Sequence, residues 1–329
     1  MITPLVTLLE SEYDIKDPVE ELAGFYSNRL FLTKDYFIKV TTNEIPTPLY
    51  AARLEVVGQL HGLVPVIHRT RSGTLFVDDG EHYIEVHTRI HGIHNSCSSS
   101  MSLAHIEQTA SSIAHLHSSL DNLKSPAAKL IQSVAGEHFQ RAFDHQLADE
   151  LREYVHLVRN IPYSPLRDYM QSELPILLEK IPHLKPSPEE QGIVHGDLHD
   201  LQLLFGEDGR LKCIADWESM HGRSRSFELG FMLDRLSSDT KKLYYDDSIP
   251  IQRFRHKPEA IESFLQMYAH TWSLPDANSM MDEVLIEAMG RAAGFLKDIF
   301  SHEAVNYQIL YRHLRIQNIG RIEEMRQYL

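Results

Sequence analysis

Residues 193–218 read IVHGDLHDLQLLFGEDGRLKCIADWE, and two apolar runs within them flank the turn Gly206-Glu207-Asp208-Gly209. Apolar runs either side of a glycine-bounded acidic turn predict a hairpin. His195-Gly196-Asp197 opens the segment, Gln202 stands five residues after the aspartate, and Asp216-Trp217-Glu218 closes it. Asp197 and Asp216 therefore lie on opposite arms of one short hairpin, placed to converge on one point. Phosphoryl transfer needs that arrangement: one carboxylate orients the attacking hydroxyl, while the other holds a Mg²⁺ bridging the nucleotide phosphates. Gln202 offers a neutral oxygen from the same loop as a second metal ligand. Glu218 fits either a third carboxylate near the metal or a salt-bridge partner.

Working outward, the N-terminal region supplies a complementary cation. Lys39 lies in YFIKV, residues 36–40, where a lysine between Ile38 and Val40 costs stability unless it reaches a partner. Glu55, on the helix that follows, is a candidate to hold its ammonium. Gly24-Phe25-Tyr26-Ser27-Asn28 lies at the turn into the first hairpin, where backbone N–H groups and Ser27 are candidates to approach a phosphate.

The first ninety residues read as strands with one helix among them. FYSNRLFLT (25–33) and YFIKV (36–40) form a hairpin around Lys34–Asp35. Residues 47–63 carry Leu49, Ala52, Val56, Leu60 and Leu63 at helical spacing. Two more strands, 74–79 and 82–90, lead to a hinge near residues 88–92. After the serine-rich stretch 95–102 the pattern turns helical from Leu103, then over roughly 137–158, 166–180, 258–273, 280–300 and 303–328.

Composition narrows the function classes. The chain has 329 residues, 43% apolar and 24% charged, so it holds enough apolar side chains for a substantial core. A formal charge of −14 disfavours nucleic-acid binding. Two cysteines, Cys97 and Cys213, make no disulfide framework and fit a reducing compartment. The opening MITPLVTLLESEYDIKD lacks the basic start of a secretory leader, and no run of eighteen apolar residues occurs. The expectation is a soluble cytoplasmic protein without a membrane partner.

HGDLHDLQLLF followed by IADWE resembles the paired signatures of the aminoglycoside phosphotransferase and choline kinase superfamily. The resemblance runs in order through most of the chain: GFYSN at the nucleotide loop, IKV with Lys39, Glu55 on the helix, EVHTRIHG before the hinge, and IAHLH ahead of the catalytic region. It implies an α+β, bilobed, protein-kinase-like fold, with a small antiparallel-sheet N-lobe (1–90) that binds nucleotide. The larger, mostly helical C-lobe (91–329) would carry catalysis and the acceptor site. The cofactors implied are ATP and Mg²⁺. Asp197 becomes the catalytic base, Asp216 the principal metal ligand with Gln202 and Glu218 beside it, and His195 a brace of the loop. Lys39, Glu55, Ser27 and Asn28 serve the phosphates, and Thr88 and Ile90 the adenine at the hinge.

Three positions depart from the family pattern. Gln202 replaces an asparagine and moves the amide oxygen outward by one C–C bond, about 1.5 Å. Asp200-Leu201 stand for Pro-Gly, and Phe227-Glu228-Leu229 for an aspartate-leucine pair. The expected activity is phosphorylation of a hydroxyl on an aminoglycoside, amino alcohol, sugar or hydroxy amino acid. The alternative is a kinase-fold binding protein that has lost activity, such as a spore-coat-type member. Acidic residues in 258–300 (Glu259, Glu262, Asp276, Asp282, Glu283, Glu287, Asp298) are compatible with a cationic acceptor.

Other motifs carry less. His87, His91, His94 and Cys97 read as a polar, histidine-rich hinge and not as a zinc finger. GDLH lacks the companion D-x-H and G-N-H-[DE] elements of metallophosphoesterases, and no HExxH occurs.

Overall fold

Alternation along two neighbouring strands decides what faces the cleft. The computed structural model describes residues 2–22, 28–94, 101–134, 146–185, 187, 191–238, 246–248, 251, 255–301 and 305–329. Its N-terminal part runs α1 (Ile2–Tyr13), β1 (Glu20–Glu21), β2 (Arg29–Leu32), β3 (Tyr36–Thr42), α2 (Thr47–Gln59), β4 (Ile67–His68), β5 (Val77–Asp78) and β6 (His82–Thr88). The strands form an antiparallel sheet of order β1-β2-β3-β6-β4, with β5 also on β6. The β2–β3 hairpin turns at Lys34–Asp35 as its sequence predicts, closed by a Thr33 N–H to Tyr36 O bond of 2.9 Å.

Successive side chains of a strand point to opposite faces. Phe31, Ile38, Ile84 and Val86 pack on one face against Leu5 and Leu9 of α1. Tyr83 packs on the other against Tyr50 and Leu54 of α2. Lys39 and Glu85, directly opposite each other in the β3–β6 register, share that second face with Tyr83. Helix α1 corrects the expectation of a single helix in this region: Leu5 and Leu9, four apart, bury one stripe over the sheet. Helix α2 stops at Gln59, short of Leu63, because Leu60 is extended and Gly62 takes a φ of 92°.

The remaining residues give β7 (Ile93–His94), α3 (Leu103–Asn122), α4 (Pro126–Ser133), α5 (Gln146–Leu157), α6 (Ser164–Lys180), β8 (Gly192–Val194), β9 (Leu203–Phe205), β10 (Leu211–Ile214) and β11 (His221–Arg223). Then follow α7 (Arg225–Leu236), α8 (Pro258–Ala269), α9 (Ala277–Ser301), α10 (Tyr307–Ile316) and α11 (Ile319–Glu324). The fold is the bilobed kinase-like one, a small antiparallel sheet followed by a mostly helical lobe. β9 and β10 are the expected hairpin, and β7 joins β9 at its side. β8 pairs with β11, laying the strand before Asp197 beside the segment after Asp216. The predicted helix over 303–328 divides into α10 and α11 at Asn318, whose side chain caps the second by accepting from Arg321 N at 2.9 Å.

Helix α7 is buried on every side. Gly230 lets α9 approach it: a Cβ there would stand 2.6 Å from Val284 Cγ2 and 2.7 Å from Met280 O. Among the described residues no helix is long and apolar enough to cross a membrane.

Candidate active site

Lys39 is where the two lobes meet electrostatically. Its Nζ lies 2.8 Å from Asp216 Oδ1 and 2.7 Å from Glu218 Oε2. Glu218 Oε2 also accepts from Asn28 Nδ2 at 2.9 Å, tying the end of the expected nucleotide loop to the same carboxylate. Lys39 is 9% exposed at its side chain and Asp216 43%, so the pair sits at the cleft wall with the carboxylate toward solvent. Burial works to lower the Lys39 ammonium, but Asp216, Glu85 and Glu218 override it and hold the group above the ordinary lysine range. Burial likewise works to raise the Asp216 carboxyl, and Lys39 with His195 and His199 holds it below the ordinary range. Asp216 itself adopts a left-handed backbone (φ 65°), a conformation that costs a non-glycine residue energy and re-aims its side chain at the end of β10.

Glu55 is not brought to Lys39. Its side chain is exposed, and its Oε1 accepts from Gln59 Nε2 at 3.5 Å, along the same helix. The reason is helical phase: Tyr50 and Leu54 take the stripe of α2 that faces the sheet, which turns position 55 outward. Glu85, buried on the adjacent strand, is the carboxylate that stands beside Lys39 instead. His87 Nε2 lies 3.3 Å from Glu85 Oε1. A charged residue inside each of two neighbouring apolar strands, YFIKV and YIEV, was the signal in the sequence.

Thr88 and Ile90, expected at the hinge, lie at and just after the end of β6. Thr88 donates its N–H to Val66 O at 2.9 Å and shares its hydroxyl with His68 Nε2 at 2.8 Å; Ile90, half-buried, follows it. Ser27 lies outside the described residues, as does Cys97.

The loop expected to be catalytic is braced from three sides. His195 Nε2 bonds Ala215 O at 2.8 Å and its ring packs on Trp217, which fixes the loop against the Asp216 segment. Gly196 has a φ of 89°, and a Cβ there would fall 2.2 Å from Ser219 O, so only glycine fits. Its N–H donates to Glu228 Oε1 at 3.1 Å. Glu228 Oε2 lies 2.8 Å from His117 Nε2, and His117 Nδ1 lies 2.8 Å from Tyr268 Oη. Glu228 thus carries a brace from α3 and α8 to the loop. Burial works against its charge, but the hydrogen bond from His117 prevails and brings the carboxyl down to about 2.

Asp197 projects from this loop, and its Oδ1 accepts from Arg291 Nη2 at 2.9 Å. Arg291 Nε donates to Glu287 Oε1 at 2.8 Å, Arg223 Nη1 to Glu287 Oε2 at 2.7 Å, and Arg223 Nε to Glu283 Oε2 at 3.0 Å. A line of alternating charges therefore runs from the loop into α9. Arg291 and Arg223 were not singled out in the sequence, although Glu283, Glu287 and Arg291 recur every four residues along one helix. Of the acidic residues in 258–300, Glu283 and Glu287 are buried and paired with arginine. Asp282 likewise pairs with Arg326 at 3.3 Å, and Asp276 caps Ser279 N at 2.9 Å.

The oxygen donors expected at a metal are Asp216 and Glu218, which both reach Lys39, and Gln202, whose backbone carbonyl accepts from Ala215 N at 2.9 Å. Gln202 is buried, and its Oε1 has no hydrogen-bond partner among the described residues, as suits a carbonyl meant for an ion or its water. Hard oxygen donors fit Mg²⁺. Among the described residues no group of three or more His, Cys, Asp and Glu is placed to hold a metal.

Several solved structures share this fold. A spectinomycin phosphotransferase in complex with ADP and spectinomycin superposes with a TM-score of 0.73 at 14% identity, covering 99% of this chain and 98% of that one. An amicoumacin kinase in complex with AMP-PNP and Ca²⁺ gives 0.65 at 14% identity, with 97% and 94% covered. A microcompartment-associated aminopropanol kinase gives 0.64 at 14% identity, with 99% and 97% covered. No curated protein matches the sequence. The family match spans residues 18–277, from the first strand of the sheet to the start of α9, and on that evidence the chain belongs to the phosphotransferase enzyme family.

Proposed function

We propose that this chain is a cytoplasmic kinase that transfers the γ-phosphoryl group of ATP to a hydroxyl of a small molecule. The observation that carries the reading is the meeting of Lys39 with Asp216 and Glu218 across the cleft, at 2.8 and 2.7 Å. Nucleotide lies between an N-lobe of residues 1–90 and a C-lobe of 91–329, its adenine at Thr88 and Ile90. Lys39 turns to the phosphates, which Asn28 and, from outside the described residues, Ser27 also serve. Asp216, Gln202 and Glu218 would hold Mg²⁺, which when bound would neutralise charge on the phosphates.

Asp197 orients the acceptor. Because Arg291 occupies Oδ1, Oδ2 is the atom that receives the hydroxyl hydrogen bond. The acceptor oxygen attacks the γ-phosphorus, the bond from that phosphorus to the β–γ bridging oxygen breaks, and ADP leaves. The hydroxyl proton passes to Asp197 Oδ2. Aminoglycosides, amino alcohols, sugars and hydroxy amino acids are the acceptor classes in view.

Calorimetry with ATP, with and without Mg²⁺, tests the nucleotide site, and consumption of ATP against a panel of those acceptors tests the transfer. The expected result is metal-dependent binding, and turnover that Asp197→Ala abolishes while ATP still binds. An Asp197→Ala protein as active as the parent would remove Asp197 from its role. Absence of metal-dependent ATP binding would favour the alternative, a kinase-fold binding protein without activity, for which Gln202 in the asparagine position is the supporting feature.

A further inference from the structure

Helix α7 places four charged side chains in the interior, and three of them have hydrogen-bonded partners, although Arg225 Nε is itself buried without one among the described residues. Arg225 reaches Asp121 and the Ile193 carbonyl. Glu228 holds His117 and the Gly196 N–H. Asp234 is gripped by Arg321, whose Nη1 lies 2.7 Å from Oδ1 and whose Nη2 lies 2.9 Å from Oδ2. Arg235 is the exception. It is only 8% exposed, and among the described residues its buried Nη1 has no hydrogen-bond partner and its one ion pair is Nε to Asp234 Oδ2 at 3.7 Å. That carboxylate is already committed to Arg321.

A buried guanidinium with an unmet N–H is costly, and such a group in a native fold calls for an explanation. Its position supplies one. Arg235 lies 4.9 Å from the centroid of the Phe231 ring, and Arg291 lies 5.1 Å from the same centroid. Arg291 is the residue bonded to Asp197 Oδ1. Two guanidiniums therefore share one aromatic ring beside the base that is to hold the acceptor hydroxyl. The acidic residues of α9 that would have attracted a cation here, Glu283 and Glu287, are spent on Arg223 and Arg291. His313 and His199 complete the surroundings, and His313 is pushed down to about 4 by burial and by Arg291 and Arg235.

We propose that Arg235, with Arg291 beside it, forms a subsite for a carboxylate on the acceptor, so that the substrate is a small hydroxy acid. The inference rests on the phosphotransferase reading above and names its acceptor class. A carboxylate matches the planar fork of a guanidinium. A monoanion also suits one unmet donor better than a dianionic phosphate, whose burial costs more. An ammonium would be repelled by both arginines.

The test pairs acceptors that differ only in the acidic group. ATP consumption and acceptor binding are measured with L-homoserine against 3-aminopropan-1-ol, and with D-glycerate against glycerol and glycerol 3-phosphate. The proposal expects turnover or binding of at least one hydroxy acid, about 10- to 100-fold better than its neutral or cationic analogue and than the phosphate ester. It further expects Arg235→Met to raise KM for that acid by about tenfold or more, with Arg235→Lys intermediate and Mg·ATP affinity unchanged as the check on folding. Failure of every hydroxy acid both to bind and to react overturns it. So does equal or better use of the amino alcohol or glycerol, or an unaltered KM in a folded Arg235→Met protein. Preference for glycerol 3-phosphate would reassign the subsite to phosphate. If Mg·ATP binds and amines are phosphorylated, only this inference falls; if Mg·ATP does not bind, the kinase reading falls with it.

Discussion

Oδ1 of Asp197 accepts a hydrogen bond from Nη2 of Arg291 at 2.9 Å, although the two residues stand 94 apart in the sequence. The bond occupies one oxygen of the carboxylate, while the other lies 3.7 Å from His199 Nε2, so the orientation of Asp197 is set by a helix as well as by its own loop. Arg291→Met removes this restraint. It is expected to lower kcat by about 10- to 100-fold while leaving the Kd for Mg·ATP unchanged, with Arg291→Lys recovering only part because an ammonium lacks the guanidinium fork. Steady-state kinetics beside nucleotide calorimetry check this; a rise in nucleotide Kd equal to the loss in kcat would place the effect elsewhere.

Lys39 distinguishes its two carboxylate candidates. Glu55 is exposed and bonded along its own helix, whereas Glu85 is buried opposite Lys39. Glu55→Ala is expected to change stability by no more than about 0.5 kcal/mol and to leave the Kd for ATP as it is. Glu85→Ala removes one of the charges that stabilise a buried ammonium, and is expected to cost about 2 kcal/mol or more and weaken ATP binding. Urea denaturation and calorimetry on the two variants settle the assignment; equal effects would contradict it.

Gly196 tests the catalytic loop. Its φ of 89°, and the mere 2.2 Å that would separate a Cβ at this position from the Ser219 carbonyl oxygen, leave no room for a methyl group. Gly196→Ala is expected to destabilise the protein by about 2–4 kcal/mol and to break the Gly196 N–H bond to Glu228. Thermal melting followed by circular dichroism reads the loss, and a variant as stable as the parent would show that the loop accepts another conformation.

Acid should weaken the fold from about pH 6.5 downward, starting with its buried histidines. His256 is buried, with Nδ1 2.7 Å from Ser237 Oγ and Nε2 3.1 Å from Arg321 O. Burial, aided by Arg321, outweighs Asp234 and lowers it to about 4; burial also leads in lowering His313 to about 4. In the unfolded chain a histidine takes its proton near 6.5, so the unfolded state binds more protons between the two values. The stability these neutral rings contribute is complete above about pH 6.5 and is lost as the pH falls toward 4, at up to about 1.4 kcal/mol per pH unit for each. Glu228, lowered to about 2, extends the decline below pH 4.5. Urea midpoints between pH 7 and 4.5 should fall accordingly, and His256→Gln should flatten the slope; an unchanged slope would exclude His256 as a source.

The sequence by itself determined the parts of this protein whose causes are local. The hairpin of 203–214 follows from apolar runs either side of a glycine turn, and the strands and helices from periods of two and three to four residues. Lys39, Asp216, Glu218 and Gln202 were legible because a charge inside an apolar strand, and oxygen donors at its turns, are unusual enough to require a purpose. The tertiary structure decided which charges meet. Whether Glu55 or Glu85 stands by Lys39 depends on the phase of α2 against the sheet, and a helix reading fixed to within a residue or two cannot resolve a turn of 100°. The partners of Asp197 and the unmet Nη1 of Arg235 arise where α7 and α9 pack through Gly230. Burial is what makes those charges matter, since the same arginines on a solvated face would be screened by water, and burial is a property of the packed chain alone.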